Sequence, residues 1–574
     1  MTTDLASLPD SPVPARLADG ADTLTGALAM LVERFPDFGC LTLLDRHGGE
    51  QSLTLAALWA RAQQIHATLA TRQLRPGGFA LLALPTGPEL VAAYFGVMLA
   101  GGIPGLVATP SNRVADRRIY ATRVGAILRD AAAQVLYCED DLLPLFRDDG
   151  QALLGGAALL TASEVTPTTA APLPVHRAAA DDIATVQYSS GSTGTPKGVL
   201  LTHQAMLNNI RAVRDGLGVT PADVSVNWIP LYHDMGLIDA FLLPVLSGCP
   251  CVLIPTMDFM RDPALWLRAI HRYRGALSWA PNFAYTICAK RVAEAELVGL
   301  DLSSWRIAIN AAEPVLASTI ASFVARFARY GFAPEAMTPA WGLAENVTIA
   351  TAHPVGTAAR VETIDRQALA TDGRAAPTPG DGLASVAIGR CLPHCEVQIR
   401  ADGGAVLPDR QVGAVWLRSN SLFIGYHGNP SLTASTLVDG WLHTGDRGYL
   451  VDGNLYFIAR DKDLIVIGGE KYAPHDLETV INRIDGVREG CAVVIGVLSE
   501  ERGTEDVAAV VETKLTDAGA LDDLRARIRA AVTAATGLAL RHVLLVPAGG
   551  VEKTTSGKLA RRATRSRYAS QLGG

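Results

Sequence analysis

The first part of the chain alternates between helix-like segments and short apolar runs, and this alternation restricts the possible folds more than any other feature. The helix-like TLAALWARAQQIHATLA (54–70) is followed by the apolar FALLALP (79–85), and the pattern repeats in ELVAAYFGVMLA (89–100) and IPGLVA (103–108). Further apolar runs occur in VSVNWIPL, CVLIP, GALSWA and RIAINAA. Such alternation is typical of parallel strands joined by helical crossovers. It predicts a large α/β body whose sheets are buried on both faces.

Length and local composition divide the rest of the chain. At 574 residues it corresponds to roughly three or four domain-sized units. From about residue 390 the apolar runs shorten and turn signals appear, which predicts a β-rich subdomain. After Arg460 the pattern changes to a small α/β unit with a basic tail. Residues 161–175, rich in Thr, Ala and Pro, are predicted to be a surface loop. Residues 370–386, rich in Gly, Pro and Ala, are predicted to be a long loop or an insertion.

Composition and charge exclude several classes of protein. Apolar residues make up 49% of the chain and charged residues 19%, which indicates a well-packed globular protein. A net charge of −7 gives no basic footprint for nucleic acid. The eight scattered cysteines lack zinc-ligand spacing, and the first residues lack the charged start and apolar run of a signal peptide. We therefore expect free thiols and a cytoplasmic location.

Residues 90–108 are apolar and long enough to span a bilayer. Gly101, Gly102 and Pro104 interrupt this stretch, as expected for a buried helix followed by a buried strand. We therefore predict that it belongs to the protein core and that the chain has no membrane span.

The strongest local signal is the glycine-rich segment IATVQYSSGSTGTPKGVLLTH, residues 183–203. A β-like run leads directly into small residues and a single lysine. The glycines let the backbone approach a polyphosphate, the hydroxyl groups add hydrogen-bond donors, and the lysine supplies a positive charge. The candidate phosphate-binding residues are Ser190, Gly191, Ser192, Thr193, Gly194, Thr195 and Lys197.

This segment differs from the common nucleotide P-loop, which ends in Gly-Lys-Ser/Thr, because Pro196 precedes Lys197 and Gly198 follows it. The alternative interpretation is a flexible Ser/Gly linker. Linkers rarely follow an apolar strand directly or lead into a second apolar run, so we interpret the segment as a phosphate loop.

The segment SSGSTGTPKG resembles the phosphate loop of the adenylate-forming superfamily, which includes acyl-CoA synthetases, peptide-synthetase adenylation domains and luciferases. Further superfamily motifs are matched in the same order: PAWGLAE (339–345) for adenine and magnesium, HTGDRGYL (443–450) for ribose, ARDKDLIVIGGEKYAP (459–474) for the hinge, and TTSGKLARR (554–562) for the C-terminal lysine. The resemblance covers nearly the whole chain. It implies an N-terminal adenylation domain over residues 1–460, with two α/β subdomains and a β-rich subdomain. Residues 461–574 would form a small, mobile C-terminal α+β domain.

The resemblance also implies ATP and Mg²⁺ as cofactors and suggests roles for individual residues. Glu345 would bind Mg²⁺, since a carboxylate is a hard oxygen ligand suited to a metal that bridges phosphates. Trp341 and the adjacent Gly342 would lie against adenine. Asp446, with Arg460 as its partner, would bind the ribose, because an acceptor-only carboxylate suits two sugar hydroxyls.

Two lysines of the C-terminal motifs have implied roles of their own. Lys558 resembles the lysine that contacts both the carboxylate of the acid and the α-phosphate, where its charge would offset the repulsion between two anions. Lys462 matches the hinge position, about which the C-terminal domain would rotate between two half-reactions. Relatives commonly have a proline where this chain reads Val551-Glu552-Lys553, a departure that concerns the loop and not Lys558.

Three segments narrow the resemblance to fatty acyl-AMP ligases: NWIPLYHDMGL (227–237), PNFAY (281–285) and NAAEPV (310–315). In that family the histidine, here His233, lies beside the acyl tunnel and the carboxylate, whereas Asp234 is interpreted as hydrogen-bonding the loop. Ala312 and Glu313 are further candidates for nucleotide binding. The predicted catalytic residues are Lys558, His233 and Glu345.

The length of one interval is a second marker of this branch. Gly389 lies 44 residues after Glu345, a longer interval than acyl-CoA synthetases usually show. The excess includes VETIDRQALATDGRAAP (361–377), which resembles the insertion of fatty acyl-AMP ligases that restrains domain rotation and disfavours CoA. GEKYAP (469–474) instead resembles the acyl-CoA synthetase form of its motif.

The resemblance implies a fatty acid as the substrate and the phosphopantetheine thiol of an acyl carrier protein as the acceptor. No carrier attachment site follows the lysine motif, so the carrier would be a separate partner. A basic tail either docks this acidic partner or is only a solvated helix end. Its arginines are Arg561, Arg562, Arg565 and Arg567. Trp279, near a place where many relatives carry a glycine, either shortens the acyl tunnel or is a core tryptophan.

Two alternatives to a fatty acyl-AMP ligase stay open. One is an acyl-CoA synthetase, which is distinguished by its consumption of CoA. The other is a non-catalytic protein that binds acyl-adenylate, although the presence of Lys197, Glu345, Asp446 and Lys558 argues against it.

Overall fold

The structure, a computed structural model, describes residues 11–14, 16–72, 74–110, 117–147, 151–167, 173–189, 197–467, 470–499, 504–554 and 557–572. Six of the predicted phosphate-loop residues lie outside these ranges: Ser190, Gly191, Ser192, Thr193, Gly194 and Thr195.

The α-helices within the described ranges are α1 Leu24–Arg34, α2 Leu55–Thr71, α3 Pro88–Leu99, α4 Arg117–Asp130, α5 Leu143–Arg147, α6 His203–Leu217, α7 Leu243–Leu246, α8 Thr256–Arg261, α9 Ala264–Tyr273, α10 Asn282–Arg291, α11 Ala317–Phe327, α12 Arg366–Asp372, α13 Pro430–Thr436, α14 Pro474–Ile481, α15 Ala518–Thr536 and α16 Arg561–Arg567. A π-helix, Met235–Leu242, precedes α7.

The strands are β1 Gly39–Leu44, β2 Glu50–Thr54, β3 Phe79–Ala83, β4 Ile103–Leu106, β5 Val135–Cys138, β6 Ala158–Thr161, β7 Ile183–Ser189, β8 Lys197–Thr202, β9 Ser225–Asn227, β10 Cys251–Leu253, β11 Leu277–Ala280, β12 Ile307–Asn310, β13 Met337–Gly342, β14 Ile349–Ala352, β15 Val361–Ile364, β16 Leu383–Val386, β17 Arg390–Cys391, β18 Cys395–Arg400, β19 Gly413–Ser419, β20 Gly425–Tyr426, β21 Leu437–Val438, β22 Trp441–Val451, β23 Asn454–Arg460, β24 Ile465–Ile467, β25 Glu470–Tyr472, β26 Val487–Ser499, β27 Thr504–Thr513 and β28 Leu540–Val546.

Two large sheets form the body of the protein. One has the strand order β17-β14-β13-β12-β11-β9-β10-β1-β2, and the other has the order β20-β8-β7-β4-β3-β5-β6. Their central strands pair in parallel, as β11 does with β9 and β12, and β3 with β4 and β5. These strands are buried along almost their whole length because they carry apolar residues on both faces. The predicted α/β body is confirmed.

The apolar stretch over residues 90–108 forms α3 and then β4, as predicted. Gly101 makes the turn between them with a φ of +80°, a backbone conformation that glycine adopts without steric cost. Both elements are buried in the body of the protein. Among the helices of the described ranges, none is long and apolar enough to cross a membrane.

The later part of the chain contains smaller sheets. An antiparallel sheet has the order β18-β19-β22-β21, with β23 paired to β22, and it forms the predicted β-rich subdomain. Beyond it, β26, β27 and β28 form a three-stranded sheet against which α14 and α15 pack through an apolar cluster. The predicted domain boundary at residue 460 falls at the end of β23 and stays a prediction.

Residues 370–386, predicted to be a long loop or an insertion, belong to a folded insertion with a loop between two of its elements. Strands β15 and β16 pair in antiparallel register from Val361↔Val386 to Ile364↔Leu383, and α12 lies between them. Asp365 caps α12 by accepting a hydrogen bond from Ala368 N at 2.7 Å. The many Gly and Pro residues therefore belong to the connection between α12 and β16, and the whole segment is a folded unit.

Candidate functional site

The N-terminal end of the π-helix and the C-terminal lysine motif meet in the structure. Lys558 Nζ lies 3.0 Å from His233 Nε2, although 325 positions separate the two residues. His233 Nδ1 and the Met235 N–H both lie close to Asp234 Oδ1, at 2.6 and 2.7 Å. We therefore assign the imidazole proton to Nδ1, which leaves Nε2 to accept a hydrogen bond from Lys558.

The pKa values of Lys558 and Asp234 are set by their burial and by the charges beside them. Burial lowers the pKa of Lys558, an effect that the carboxylates of Asp234 and Glu313 oppose. Burial alone would raise the pKa of Asp234, but His233, Lys558 and a backbone N–H hold it below its usual value. A lysine whose charge depends on nearby carboxylates suits a site where an anionic substrate must be bound.

The NAAEPV segment contributes to the same place. Glu313 Oε1 accepts a hydrogen bond from Phe283 N at 2.6 Å, and burial raises the pKa of this carboxyl, against the effect of Lys558. The ring of Phe283 lies against Gly557, next to the lysine. Ala312 adopts a φ of +70°, which is uncommon for a residue with a side chain. Phe283 of PNFAY and Glu313 of NAAEPV thus lie close to the lysine motif.

A second group of residues contains the predicted ribose acid. Asp446 Oδ2 accepts a hydrogen bond from Trp341 Nε1 at 2.8 Å, and Arg460 Nε lies 3.4 Å from Asp446 Oδ1. Burial raises the pKa of Asp446, whereas Arg460 and Trp341 lower it. Stacking of Trp341 on adenine stays a prediction; in the structure the indole is buried and positions Asp446. Gly342 is needed for packing, because a Cβ there would lie 2.1 Å from Thr348 O.

A third group surrounds Glu345. Tyr426 Oη donates to Glu345 Oε1 at 2.7 Å, and Phe423 N donates to the Glu345 carbonyl oxygen at 2.8 Å. Lys197 Nζ lies 5.0 Å from the centroid of the Tyr426 ring. The lysine of the glycine-rich segment and the carboxylate are therefore held on the same tyrosine.

Electrostatic interactions connect the three groups. Arg460 lowers the pKa of Lys558 and also that of Asp446, and the carboxylate of Glu345 raises the pKa of Asp446. Burial lowers the pKa of Lys462, and the charges of Arg460 and Lys197 add to this effect. The charged candidate residues Lys197, Glu345, Asp446, Arg460 and Lys558 are thus close enough to influence one another.

The four arginines of the basic tail have different environments in the structure. Arg561 donates to Glu478 at 2.9 Å and lies 3.4 Å from Asp463, so it is part of the internal packing of α14 and α16. Arg567 pairs with Glu552 at 2.7 Å. Arg562 and Arg565 are exposed. Only this pair is left as a candidate docking surface.

Sequence reasoning missed Tyr426 and Phe283 as individual residues of the site. Tyr426 lies on β20, which pairs with β8 in the register Tyr426↔Val199. This pairing brings the tyrosine beside Lys197, which lies 229 positions earlier in the sequence, and no local sequence motif predicts the contact. Phe283 belongs to the PNFAY motif, but its contact with Gly557 depends on the placement of the C-terminal part.

Comparison with known proteins identifies the class. Residues 29–427 match the AMP-binding enzyme family, so the chain belongs to that family. It is similar to a medium-chain fatty acid–[acyl-carrier-protein] ligase of Moorena producens, with 32% identity over 90% of each chain. It is also 35% identical to a Caulobacter vibrioides protein provisionally named an acyl-CoA synthetase, over 93% of this chain and 96% of that protein.

A solved structure from work on fatty acyl-adenylate ligases of E. coli and L. pneumophila has the same fold. The TM-score is 0.90 at 30% identity, and the match covers 98% of this chain and 100% of that chain. The resemblance to fatty acyl-AMP ligases that the motifs predicted is confirmed.

Proposed function

We propose that this enzyme activates a fatty acid with ATP, forming an acyl-adenylate and releasing pyrophosphate, and then transfers the acyl group to the thiol of a separate acyl carrier protein. The observation that carries the first step is the 3.0 Å contact between Lys558 and His233. This contact supports the proposal, because adenylation requires a lysine beside the carboxylate of the acid, and His233 is the residue that we expect at that carboxylate. The eight free cysteines suit a reducing compartment such as the cytoplasm.

The chain's residues act in this step mainly by position and charge. The Lys558 ammonium group offsets the repulsion between the fatty acid carboxylate and the α-phosphate. Asp234 keeps the imidazole of His233 oriented, so that Nε2 faces Lys558 and the incoming carboxylate. Asp446, fixed by Trp341 and Arg460, accepts hydrogen bonds from the ribose hydroxyls.

Glu345 fits the role of the Mg²⁺ ligand. Its Oε1 accepts the hydrogen bond of Tyr426, whereas no described residue donates a hydrogen bond to Oε2. A carboxylate with one oxygen held and the other available is a suitable hard ligand. When bound, Mg²⁺ neutralises charge on the phosphates, and Lys197 adds a second cation beside them.

The choice of acceptor depends on movement of the C-terminal part. Arg366 of α12 donates to both carboxylate oxygens of Asp476 on α14, at 2.8 and 2.9 Å. The two side chains are 24% and 12% exposed, so this bidentate pair is partly desolvated. Leu369 of α12 also contacts the apolar cluster that includes Ala473. We infer that the folded insertion holds the C-terminal part and so disfavours CoA.

Replacing Arg366 with alanine should therefore increase the rate at which CoA is acylated by about tenfold, since loss of a partly buried ion pair of about 1.4 kcal/mol changes a population by that factor. The measurement is acyl-CoA formation from ATP, fatty acid and CoA. Arg360→Ala is the matched control, because Arg360 pairs with Asp452 at 3.4 Å and is exposed. Equal rates of CoA acylation in both variants would refute the restraint.

The acceptor itself is tested with the unmodified enzyme. ATP and fatty acids of graded chain length are incubated with either CoA or a purified phosphopantetheinylated carrier protein. We expect acyl-adenylate to accumulate with CoA unconsumed, and acyl-carrier protein to form in the other reaction. Rapid formation of acyl-CoA would instead establish the acyl-CoA synthetase alternative. Arg562 and Arg565 are the residues we propose for contact with an acidic carrier protein.

Trp279 is proposed to limit the length of the acyl chain. It is fully buried on β11, four positions before Phe283, and its indole N–H has no partner within the described residues. In Trp279→Leu, kcat/KM for longer acids should rise about fourfold for each added methylene, because burying one is worth about 0.8 kcal/mol. Trp305→Leu is the control, because Trp305 is also fully buried and its ring packs against Phe332. An unchanged chain-length profile would assign Trp279 to the core alone.

A further inference from the structure

A buried hydrogen-bond chain lies beside the turn that follows Glu345. Asn209 of α6, Asp239 of the π-helix and Thr348 are 1%, 1% and 3% exposed. Thr348 Oγ1 lies 2.6 Å from Asn209 Oδ1 and 3.0 Å from Asp239 Oδ1. These contacts join three elements that are distant in the sequence.

The hydrogens available for the bonds among Asn209, Thr348 and Asp239 can be counted. Asn209 Nδ2 donates to the carbonyl oxygens of Asn346 and Ile349, at 3.1 and 3.2 Å, which fixes Oδ1 as the atom that faces Thr348. The single hydroxyl hydrogen of Thr348 is donated to Asn209 Oδ1, the closer of its two oxygen neighbours, at 2.6 Å. The 3.0 Å contact between Thr348 and Asp239 then joins two oxygens and needs another hydrogen, which must come from the carboxyl group of Asp239.

The turn between Glu345 and Thr348 is strained. Val347 has φ +66° and ψ −66°, and Thr348 N donates to Asn346 O at 2.7 Å. This is a classic γ-turn, a rare conformation that is unfavourable for a β-branched residue. Such a turn persists only when its surroundings hold it. The side chain of Thr348 and the bond from Asn209 Nδ2 to the carbonyl oxygen of Asn346 both link the turn to the buried hydrogen bonds, and Thr348 is the link to Asp239.

We propose that Asp239 is a neutral carboxylic acid that donates its proton to Thr348 and is a positioning residue for Glu345. The π-helix begins directly after His233 and Asp234, so the same acid joins the element beside the carboxylate site to the turn beside the phosphates. This role in catalysis rests on the proposed function of Glu345.

The surroundings of Asp239 agree with a neutral acid. Its Oδ2 is buried and has no hydrogen-bond partner among the described residues, which would leave an ionised carboxylate uncompensated. Burial raises the pKa of Asp239 well above its usual value, and the nearby charge of Asp234 adds to this effect. Asp234 is the one charged group of the described residues that acts on it.

The first test uses variants at both ends of the contact. In Asp239→Asn the amide can donate to Thr348, so KM for MgATP should stay within about threefold of the wild-type value. Asp239→Leu and Thr348→Val remove the bond and should each raise KM for MgATP about tenfold. Both should bind an acyl-sulfamoyl adenosine, which carries no pyrophosphate, within about twofold of the wild type. Asn and Leu variants that are equally impaired would overturn the proposed role.

The second test is independent of catalysis. If Asp239 is protonated when folded and ionised when unfolded, the folded wild type binds the extra proton, and its stability falls as pH rises above the unfolded pKa. Asp239→Asn has no ionisable group at this position, so its stability lacks this dependence on pH. The difference in Tm between Asp239→Asn and the wild type should therefore grow in favour of the variant between about pH 5 and pH 8. A difference that stays constant or shrinks would show that Asp239 is ionised in the folded protein.

Discussion

Lys558→Ala should slow formation of the acyl-adenylate by about 10²–10³-fold, the range observed when one preorganised group that stabilises developing charge is removed. The reason is geometric, because Lys558 Nζ lies 3.0 Å from His233 Nε2, where we propose that the carboxylate of the acid binds. Two anions must approach each other there, and alanine leaves their repulsion uncompensated. Affinity for a preformed acyl-adenylate analogue should change by less than about fivefold, since that ligand no longer carries two separate anions.

Pre-steady-state release of pyrophosphate measures the adenylation step, and equilibrium binding of an acyl-sulfamoyl adenosine measures affinity for the intermediate. Lys514→Ala is the matched control, because Lys514 is an exposed lysine of the same C-terminal part. An equal loss in both measurements would contradict the role proposed for Lys558, since it would indicate a damaged site and not a slowed step.

The same lysine gives a pH dependence with a defined sign. Because burial lowers its pKa, Lys558 loses its charge at a lower pH than a free lysine does. Adenylation by the wild type should therefore decline as pH is raised through this lowered pKa, and Lys558→Arg should move the decline to higher pH.

Glu345→Gln should lower kcat/KM for MgATP by about 10²-fold and raise the Mg²⁺ concentration needed for half-maximal activity. The amide oxygen can still accept the hydrogen bond of Tyr426, so the local structure is kept while the negative charge is removed. A neutral oxygen is a much weaker ligand for a hard divalent cation. The measurement is a Mg²⁺ titration of fatty acid-dependent pyrophosphate release at saturating ATP.

Tyr426→Phe distinguishes the effect of the Tyr426–Glu345 hydrogen bond from the effect of the negative charge on Glu345. It leaves the carboxylate in place and removes one donor, so a loss of about three- to tenfold is expected, with little change in the Mg²⁺ requirement. If Glu345→Gln had the wild-type Mg²⁺ dependence, Glu345 would not be a metal ligand.

The main features of the fold were predictable from the sequence because they depend on local patterns. Buried parallel strands are apolar on both faces, so FALLALP and GALSWA could be recognised without knowledge of their neighbours. The segment around α12 could not, because its Gly and Pro residues suggest a loop whereas its structure comes from pairing between β15 and β16. The pairing Val361↔Val386 spans 25 positions and leaves no local signal.

The residues of the candidate site also fall into those that the sequence predicts and those that only the structure reveals. Glu345, Asp446 and Lys558 were found because each belongs to a motif with fixed spacing. Tyr426 was not found, since its role follows from the pairing of β20 with β8. Asp239 was not predicted either. Its role follows from its hydrogen bond with Thr348 and from the number of hydrogens available for that bond, and the sequence shows neither.

The central claim is that the chain forms an acyl-adenylate, and ATP–pyrophosphate exchange tests it most directly. The purified enzyme is incubated with ATP, Mg²⁺, labelled pyrophosphate and fatty acids of graded chain length, without CoA or a carrier protein. Fatty acid-dependent incorporation of label into ATP is the predicted result, and it should be nearly abolished in Lys558→Ala. Absence of exchange with every fatty acid would contradict the account and favour a protein that binds acyl-adenylate without forming it.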